Sequence, residues 1–212
     1  MIVHVCERAA QSGAAAVHVA TDDERIAAVV RAQGHKVLMT RADHVSGTER
    51  LAEAANLLKL EDEEIVVNVQ GDEPLIAPTL VSQVAHVLEK GKASVSTACH
   101  AIHDPAALAN PNVVKVVLDA QGYALYFSRS QIPYPREGGG TWYRHAGIYG
   151  YRVGFLKQYS ALAPSPLEKT EALEQLRVLW HGHRIAVAVS EMEIPPGVDT
   201  PQDLEAVRKM LS

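Results

Sequence analysis

The sequence predicts a single α/β domain over residues 1–212, with a mixed, mostly parallel, Rossmann-like sheet and a β-hairpin excursion over residues 113–152. In the first half, short apolar segments alternate with helical patterns, as they do in parallel strand–helix–strand units. The apolar run at residues 65–69 shows no polar alternation, which is typical of a strand covered on both faces. Two β-type segments flank the turn at residues 119–122, which indicates an antiparallel hairpin.

Each element follows from a local pattern of apolar residues and turn or cap residues. Strands are predicted at residues 16–20, 36–39, 65–70, 94–100, 113–119, 124–128, 145–151 and 184–189. Helices are predicted at residues 2–12, 23–33, 48–58, 78–90, 166–180 and 201–211. Ser46 to Glu49 and Thr200 to Asp203 are typical helix starts, the second with Pro201 in the first turn.

Composition excludes several classes of protein. The chain has 212 residues, is 47% hydrophobic and carries a net charge of −5, without the basic excess of a general nucleic-acid binder. No apolar run approaches the roughly 20 residues that span a bilayer, and Glu7 interrupts the region where a signal peptide would be apolar. Cys6 and Cys99 lack metal-ligand or redox spacing. We therefore expect a cytoplasmic protein without nucleic-acid or membrane partners.

The most informative candidate site follows the buried strand at residues 65–69, where Gln70, Gly71, Asp72 and Glu73 form a polar tip. In open α/β sheets, ligands bind beyond the carboxyl ends of the strands. Asp72 is therefore predicted to project into a ligand crevice, with Gly71 allowing close approach. The alternative is an acidic turn that only closes the strand.

Three further polar segments are candidates. Residues 40–50 combine arginines, hydroxyls and a helix start, which suits a nucleobase edge or a phosphate; a capped helix with solvated arginines is the alternative. Asp199 precedes a helix, where an N-cap is the default role. His145 and Tyr149 are four residues apart on a strand and so share one face, although a lone strand histidine is usually structural.

Together these segments resemble the 3-deoxy-manno-octulosonate cytidylyltransferases, also called CMP-Kdo synthetases. The matching segments are TRADHVSGTERLAEAA, IVVNVQGDEPLI, NPNVVKVVLDAQGYALYFSRSQIPY, RHAGIYGYR, PSPLEKTEALEQLRVLWHG and GVDTPQDLEAVR, and the resemblance extends from Met1 to Arg208. It implies the nucleotide-diphosphosugar transferase fold and a homodimer. It also implies transfer of CMP from CTP to 3-deoxy-D-manno-octulosonate (Kdo) with release of pyrophosphate, for lipopolysaccharide biosynthesis.

The resemblance also implies roles for particular residues. In such transfers the protein mainly positions the substrates and neutralises charge, and Mg²⁺ held by one or two carboxylates is the expected cofactor. Asp72 and Asp199 match the catalytic metal ligands. The matching nucleotide contacts are Arg41, Ser46, Gly47, Arg50, Gln70 and Arg129. The matching sugar contacts are Arg136 and His145 for the carboxylate, and Tyr149, Glu174 and Gln175 for the hydroxyls.

Two departures from the family pattern keep alternatives open. The family's opening strand and its phosphate loop have no counterpart in the sequence, and residues 136–142 are shorter than is usual. One alternative is a CMP-sialate synthetase, although the RHAGIYGYR and GVDTPQDL segments favour the Kdo enzyme. The other is a truncated, non-catalytic dimeric remnant, which would have no need of the acidic and arginine sites.

Overall fold

The computed structural model describes residues 1–195 and 197–211. Its helices are α1 (Ile2–Ala10), α2 (Glu24–Ala32), α3 (Gly47–Leu57), α4 (Pro78–Lys90), α5 (Pro105–Ala109), α6 (Val153–Tyr159), α7 (Pro166–Glu171), α8 (Gln175–Trp180) and α9 (Pro201–Leu211). Its strands are β1 (His18–Thr21), β2 (Lys36–Met39), β3 (Ile65–Asn68), β4 (Val95–Ala101), β5 (Lys115–Leu118), β6 (Ala124–Ser128), β7 (Tyr143–Arg152) and β8 (Ile185–Ser190). None of the described helices is long and apolar enough to cross a membrane.

The strands form a mixed α/β architecture, as predicted. β1 and β2 pair in parallel, and a six-stranded sheet has the order β6-β5-β7-β4-β8, with β3 also paired to β7. β3, β4 and β5 all run antiparallel to β7, and β8 runs parallel to β4. Most strands of the larger sheet therefore point one way, and β6 and β7 oppose them.

Among the described residues, the sheet is divided in two between β1 and β3. No described strand pairs with the facing edges of β1 and β3, and both edges line a cavity of about 1490 Å³, here called the cleft. A Cβ atom added to Gly47 would lie 4.0 Å from Nδ2 of Asn68, so α3 begins beside the end of β3. The loops after β2 and β3 therefore meet at one mouth of the cleft.

The core lies on both faces of the larger sheet. On one face, α4 packs Val84 and Leu80 against Ile148 of β7 and Ala98 of β4. On the other face, a larger cluster contains Phe127, Tyr151, Leu156, Leu176 and Ile185. β4 is buried along almost its whole length because it lies between β7 and β8 with helices on both sides. This rigid centre supports β7, which carries several candidate site residues.

The structure confirms the hairpin and corrects several predicted bounds. β5 and β6 pair antiparallel, and in the turn between them the Asp119 carboxylate accepts hydrogen bonds from the amides of Gln121 and Tyr123. The single helix predicted at residues 166–180 is wrong: it is two helices, because Ala172 adopts a left-handed backbone conformation (φ 51°) that ends α7. Two short helices, α5 with five residues and α6 with seven, were not predicted.

Gly150 in β7 lies in close contact with β4 and α4, and a substitution at this position tests that packing. An added Cβ atom would lie 2.4 Å from Oγ of Ser96, which donates a hydrogen bond to the Val84 carbonyl. We expect Gly150→Ala to lower the free energy of unfolding by about 1–3 kcal/mol, the usual cost of overpacking. Urea denaturation measures this change. Adding Ser96→Ala should recover part of the loss, whereas a fully stable Gly150→Ala protein would contradict this packing.

Candidate active site

The acidic tip after β3 is tied to the segment that contains Asp199. The main-chain oxygen of Asp72 accepts a hydrogen bond from the Val198 amide at 2.9 Å. A Cβ atom added to Gly197 would lie 3.8 Å from Cγ of Asp72, so this glycine packs against the carboxyl group. On the other side, Nε2 of Gln70 approaches the Gly147 carbonyl of β7 at 3.4 Å. Asp72 therefore lies between β7 and the segment that precedes α9.

Asp199 is not the residue that caps α9. The amide and hydroxyl of Thr200 both donate to the Asp203 carboxylate, at 2.8 and 2.7 Å, and the Asp203 amide donates back to the Thr200 hydroxyl at 3.2 Å. This reciprocal pattern is a capping box with Thr200 at the N-cap. The Asp199 side chain is exposed and is not needed for capping, so it is available to a ligand.

Glu73, which follows Asp72, lies in a different environment. Burial, and then the neighbouring Asp72 charge, raise the pKa of Glu73 to about 7. At neutral pH Glu73 is therefore only partly ionised, although its side chain lies as close to Gly197 as that of Asp72 does.

The segment after β2 is held at the mouth of the cleft by Arg50. Its guanidinium donates to the Thr40 hydroxyl at 2.6 Å and to the Arg41 carbonyl at 3.2 Å, and it lies 3.2 Å from the Asp22 carboxylate. Ser46 caps α3 by accepting the Glu49 amide. The Arg41 side chain is exposed and contacts Asp43 at 3.0 Å. Gly47 and Thr48 at the start of α3 therefore line the cleft together with Arg50, and a helix start of this kind favours an anion.

The predicted sugar contacts on β7 and α8 meet inside the cleft. Of the predicted site residues, the cleft is lined by Gly47, Arg50, Gln70, His145, Tyr149, Glu174 and Gln175. The His145 and Tyr149 rings are 5.5 Å apart, although a bulge interrupts β7 between them. Burial, and then Tyr151, Glu174 and Tyr159, raise the pKa of Tyr149 well above its ordinary value. Burial also raises the pKa of Glu174. These side chains form one polar and aromatic pocket.

Three predicted arginine contacts do not line the cleft, namely Arg41, Arg129 and Arg136. The Arg129 guanidinium donates to the carbonyls of Glu171, Pro111 and Ala172, at 2.7, 3.1 and 3.4 Å. Its amide donates to the Glu171 carboxylate, so this side chain is tied to the end of α7. Arg136 is exposed in the loop before β7, where Gly138 to Gly140 all have positive φ angles. Their substrate roles stay predictions.

Comparison with known proteins identifies the family. The Cytidylyltransferase family matches residues 1–185. The 3-deoxy-manno-octulosonate cytidylyltransferase of Acidovorax sp. (strain JS42) is 55% identical over 228 residues, covering 100% of this chain and 87% of that protein. This chain belongs to the 3-deoxy-manno-octulosonate cytidylyltransferase family. The enzyme of the same name from Acidovorax ebreus (strain TPSY) has the same identity and coverage.

A solved structure agrees with membership of the 3-deoxy-manno-octulosonate cytidylyltransferase family. The structure of CMP:2-keto-3-deoxy-manno-octonic acid synthetase complexed with CTP superposes with a TM-score of 0.93 at 46% identity. The match covers 99% of this chain and 86% of that chain. The nucleotidyltransferase fold, which the sequence predicted by resemblance, is therefore confirmed.

The donor set of this cytidylyltransferase fits a hard cation. Asp72 and Asp199 supply carboxylate oxygens on two segments joined by the hydrogen bond between Val198 and Asp72. Within residues 1–195 and 197–211, no group of three or more His, Cys, Asp or Glu side chains could hold a metal. Mg²⁺ commonly takes one or two carboxylates and completes its shell with water and phosphate oxygens. Two carboxylates on adjoining segments suit that pattern, and neither side chain lines the cleft itself.

Sequence reasoning missed residues that hold the site of this cytidylyltransferase in place. Glu53 on α3 accepts the Arg41 amide at 3.1 Å and hydrogen-bonds to the His44 ring. The His44 bond, followed by the Arg41 amide, lowers the pKa of Glu53. Glu171 similarly holds Arg129. His44 lies next to the start of α3, which was a local indication of its partner Glu53, but no local pattern indicated Glu171.

Proposed function

We propose that this cytidylyltransferase transfers CMP from CTP to Kdo, giving CMP-Kdo for lipopolysaccharide biosynthesis. A hydroxyl oxygen of the sugar attacks the α-phosphorus of CTP, the bond to the bridging oxygen of the pyrophosphate breaks, and the hydroxyl proton is lost. The observation that carries this proposal is the cleft itself. It places Gly47, Arg50 and Gln70 in one cavity with His145, Tyr149 and Glu174.

We infer that Asp72 and Asp199 hold Mg²⁺ for this reaction. When bound, the ion would neutralise charge on the α-phosphate and on the leaving pyrophosphate. The Gly197 segment packs against Asp72 and orients its carboxylate, while the capping box of Thr200 and Asp203 fixes the chain next to Asp199. The amides at the start of α3, with Arg50, provide the positive end of the site for the nucleotide.

We also propose that the enzyme acts as a cytoplasmic homodimer. Cys6 and Cys99 are free and buried, which suits a reducing compartment. Leu125 on β6 is 59% exposed and Tyr134 in the following loop is 82% exposed. Both lie in the excursion at residues 113–152, where an apolar surface suits contact with a second copy. Sedimentation of the wild-type protein and of Leu125→Glu tests the dimer.

Pyrophosphate release tests the proposed function. We expect release with CTP, Kdo and Mg²⁺, and loss of release when a chelator is added. Replacing Kdo by N-acetylneuraminate should give little product, and product with N-acetylneuraminate alone would favour a CMP-sialate synthetase. A folded protein that releases no pyrophosphate with either sugar would contradict the proposal.

Arg136 provides a test of carboxylate recognition. A guanidinium can bind the Kdo carboxylate with two parallel hydrogen bonds, and a charge-assisted bond contributes about 1.5–3 kcal/mol. Arg136→Ala should therefore raise the KM for Kdo roughly ten- to a hundredfold and leave the KM for CTP unchanged. Glu137→Gln in the same loop is the matched control. An unchanged KM for Kdo would remove Arg136 from the sugar site.

A further inference from the structure

The Thr97 hydroxyl lies in a fully buried position on β4, against the part of β7 that carries the sugar-site residues. Its side chain has no exposed surface, and its oxygen contacts three polar atoms of β7. These are the Ile148 carbonyl at 2.7 Å, the Ala146 carbonyl at 3.1 Å and Nε2 of His145 at 2.9 Å. None of the roles assigned above to site residues involves Thr97.

The balance of protons at this hydroxyl determines the state of His145. A threonine hydroxyl carries one proton and two lone pairs, whereas a carbonyl oxygen can only accept. If the hydroxyl proton pointed to Nε2, both carbonyl oxygens would face the Thr97 oxygen without a proton between them. The Thr97 hydroxyl therefore donates its hydrogen bond to a carbonyl oxygen, and that of Ile148 is the nearer at 2.7 Å. Nε2 of His145 must then donate to Thr97.

This donation leaves Nδ1 of His145 as a hydrogen-bond acceptor. Burial lowers the pKa of His145 to about 3, so the ring is neutral at physiological pH. The Phe127 ring meets it edge-on at 4.9 Å and the Tyr149 ring lies on another side, so the imidazole cannot swing freely. A neutral ring with its proton on Nε2 presents a lone pair, not a charge, on its other side.

The free nitrogen faces the cleft. Within the described residues, Nδ1 of His145 has no protein partner, and every buried side-chain nitrogen or oxygen has a partner. Nδ1 is therefore accessible, and the cavity that His145 lines is the cleft, together with Tyr149, Glu174 and Gln175. A hydrogen-bond donor suits this position, whereas the oxygens of a carboxylate would be repelled by the lone pair of Nδ1.

We propose that Nδ1 of His145 accepts a hydrogen bond from a hydroxyl of the acidic sugar, and that Thr97 is the positioning residue that fixes this acceptor. The inference rests on the proposed function for the identity of the sugar. It replaces the expectation that His145 binds the carboxylate, which is left to an arginine. His145 thus selects for a hydroxyl at one position of the sugar ring.

Nitrogen NMR of the intact protein with isotope-labelled histidine tests the first step without catalysis. We expect His145 at neutral pH to be protonated on Nε2 and unprotonated on Nδ1, with the Nδ1 resonance shifting when Kdo is added. A ring protonated on Nδ1, or an imidazolium, would overturn the proposal. If Kdo shifts the resonance but no pyrophosphate is released with CTP, the proposed function fails and the acceptor role stands.

Variants of Thr97 test the positioning role. Thr97→Val removes the hydroxyl with little change in volume, and we expect it to raise the KM for Kdo about tenfold while the KM for CTP is unchanged. Thr97→Ser keeps the hydroxyl and should restore both the KM and the Nε2-protonated ring. If Thr97→Val fails to fold, the protonation state of His145 in the wild-type spectrum and the KM for Kdo of Thr97→Ser still test the proposal. A normal KM for Kdo in folded Thr97→Val would overturn the positioning role.

Discussion

We expect Asp72→Asn and Asp199→Asn each to lower kcat on the order of a hundred- to a thousandfold, as removal of a preorganised charge does in other active sites. An amide keeps the shape of each side chain but removes the anionic oxygen that Mg²⁺ requires. Both residues lie in loops after β3 and before α9, so folding should be unaffected. Steady-state pyrophosphate release at saturating Mg²⁺ measures the loss.

Two other acidic residues provide controls for this prediction. Asp203→Asn removes the carboxylate of the capping box, which costs about 1 kcal/mol of stability, and it should lower kcat far less than Asp199→Asn because Asp203 positions the Asp199 main chain without holding the metal. Asp62→Asn removes a surface partner of Lys157 and should change neither quantity. Near-normal turnover of Asp72→Asn or Asp199→Asn would show that the residue does not hold the metal.

We expect Arg177→Leu to lower the free energy of unfolding by about 3–5 kcal/mol, the cost of leaving one member of a buried ion pair alone. Arg177 donates to both oxygens of Glu168, with Nε at 2.8 Å, and both side chains are largely buried. The same Glu168 carboxylate accepts the Ser165 amide in the capping box of α7. Urea denaturation followed by circular dichroism measures the change.

The pair also supports one wall of the cleft, because Arg177 lies on α8, which begins directly after Glu174, and both Glu174 and Gln175 line the cleft. We therefore expect the KM for Kdo to rise in Arg177→Leu. The control is Glu168→Leu combined with Arg177→Leu, since replacing both charges by apolar groups is often nearly neutral. The double variant should be more stable than Arg177→Leu alone. A double variant that is less stable than either single variant would indicate that the two side chains act independently.

Local patterns predicted much of the fold, and long-range geometry explains what they did not predict. The bounds predicted for β2, β6, α4 and α9 agree with the structure, because cap and turn residues mark these ends within a few positions. The break at Ala172 could not be predicted, since alanine carries no preference for the left-handed region. The bulge in β7 depends on pairing with β4, which no local pattern encodes.

The candidate site was likewise predicted where it depends on local patterns and missed where it depends on long-range contacts. The strand-end rule predicted that Asp72 follows β3, as it does, although Asp72 itself does not line the cleft. The resemblance supplied His145, Tyr149, Glu174 and Gln175, which do line it. Thr97 and Glu171 went unnoticed because their partners, His145 and Arg129, are 48 and 42 residues away along the chain. Supporting residues of this kind become visible only when the sheet brings distant strands together.

The central claim, that the chain forms a bond between the sugar and the α-phosphorus of CTP, can be tested with radiolabelled nucleotide. CTP labelled on the α-phosphate and CTP labelled on the γ-phosphate are each incubated with the protein, Kdo and Mg²⁺. We predict that the α-label appears in a sugar nucleotide with the mass of CMP-Kdo and the γ-label appears only in pyrophosphate. Recovery of the α-label in free CMP, or no transfer to sugar by the folded protein, would contradict the claim.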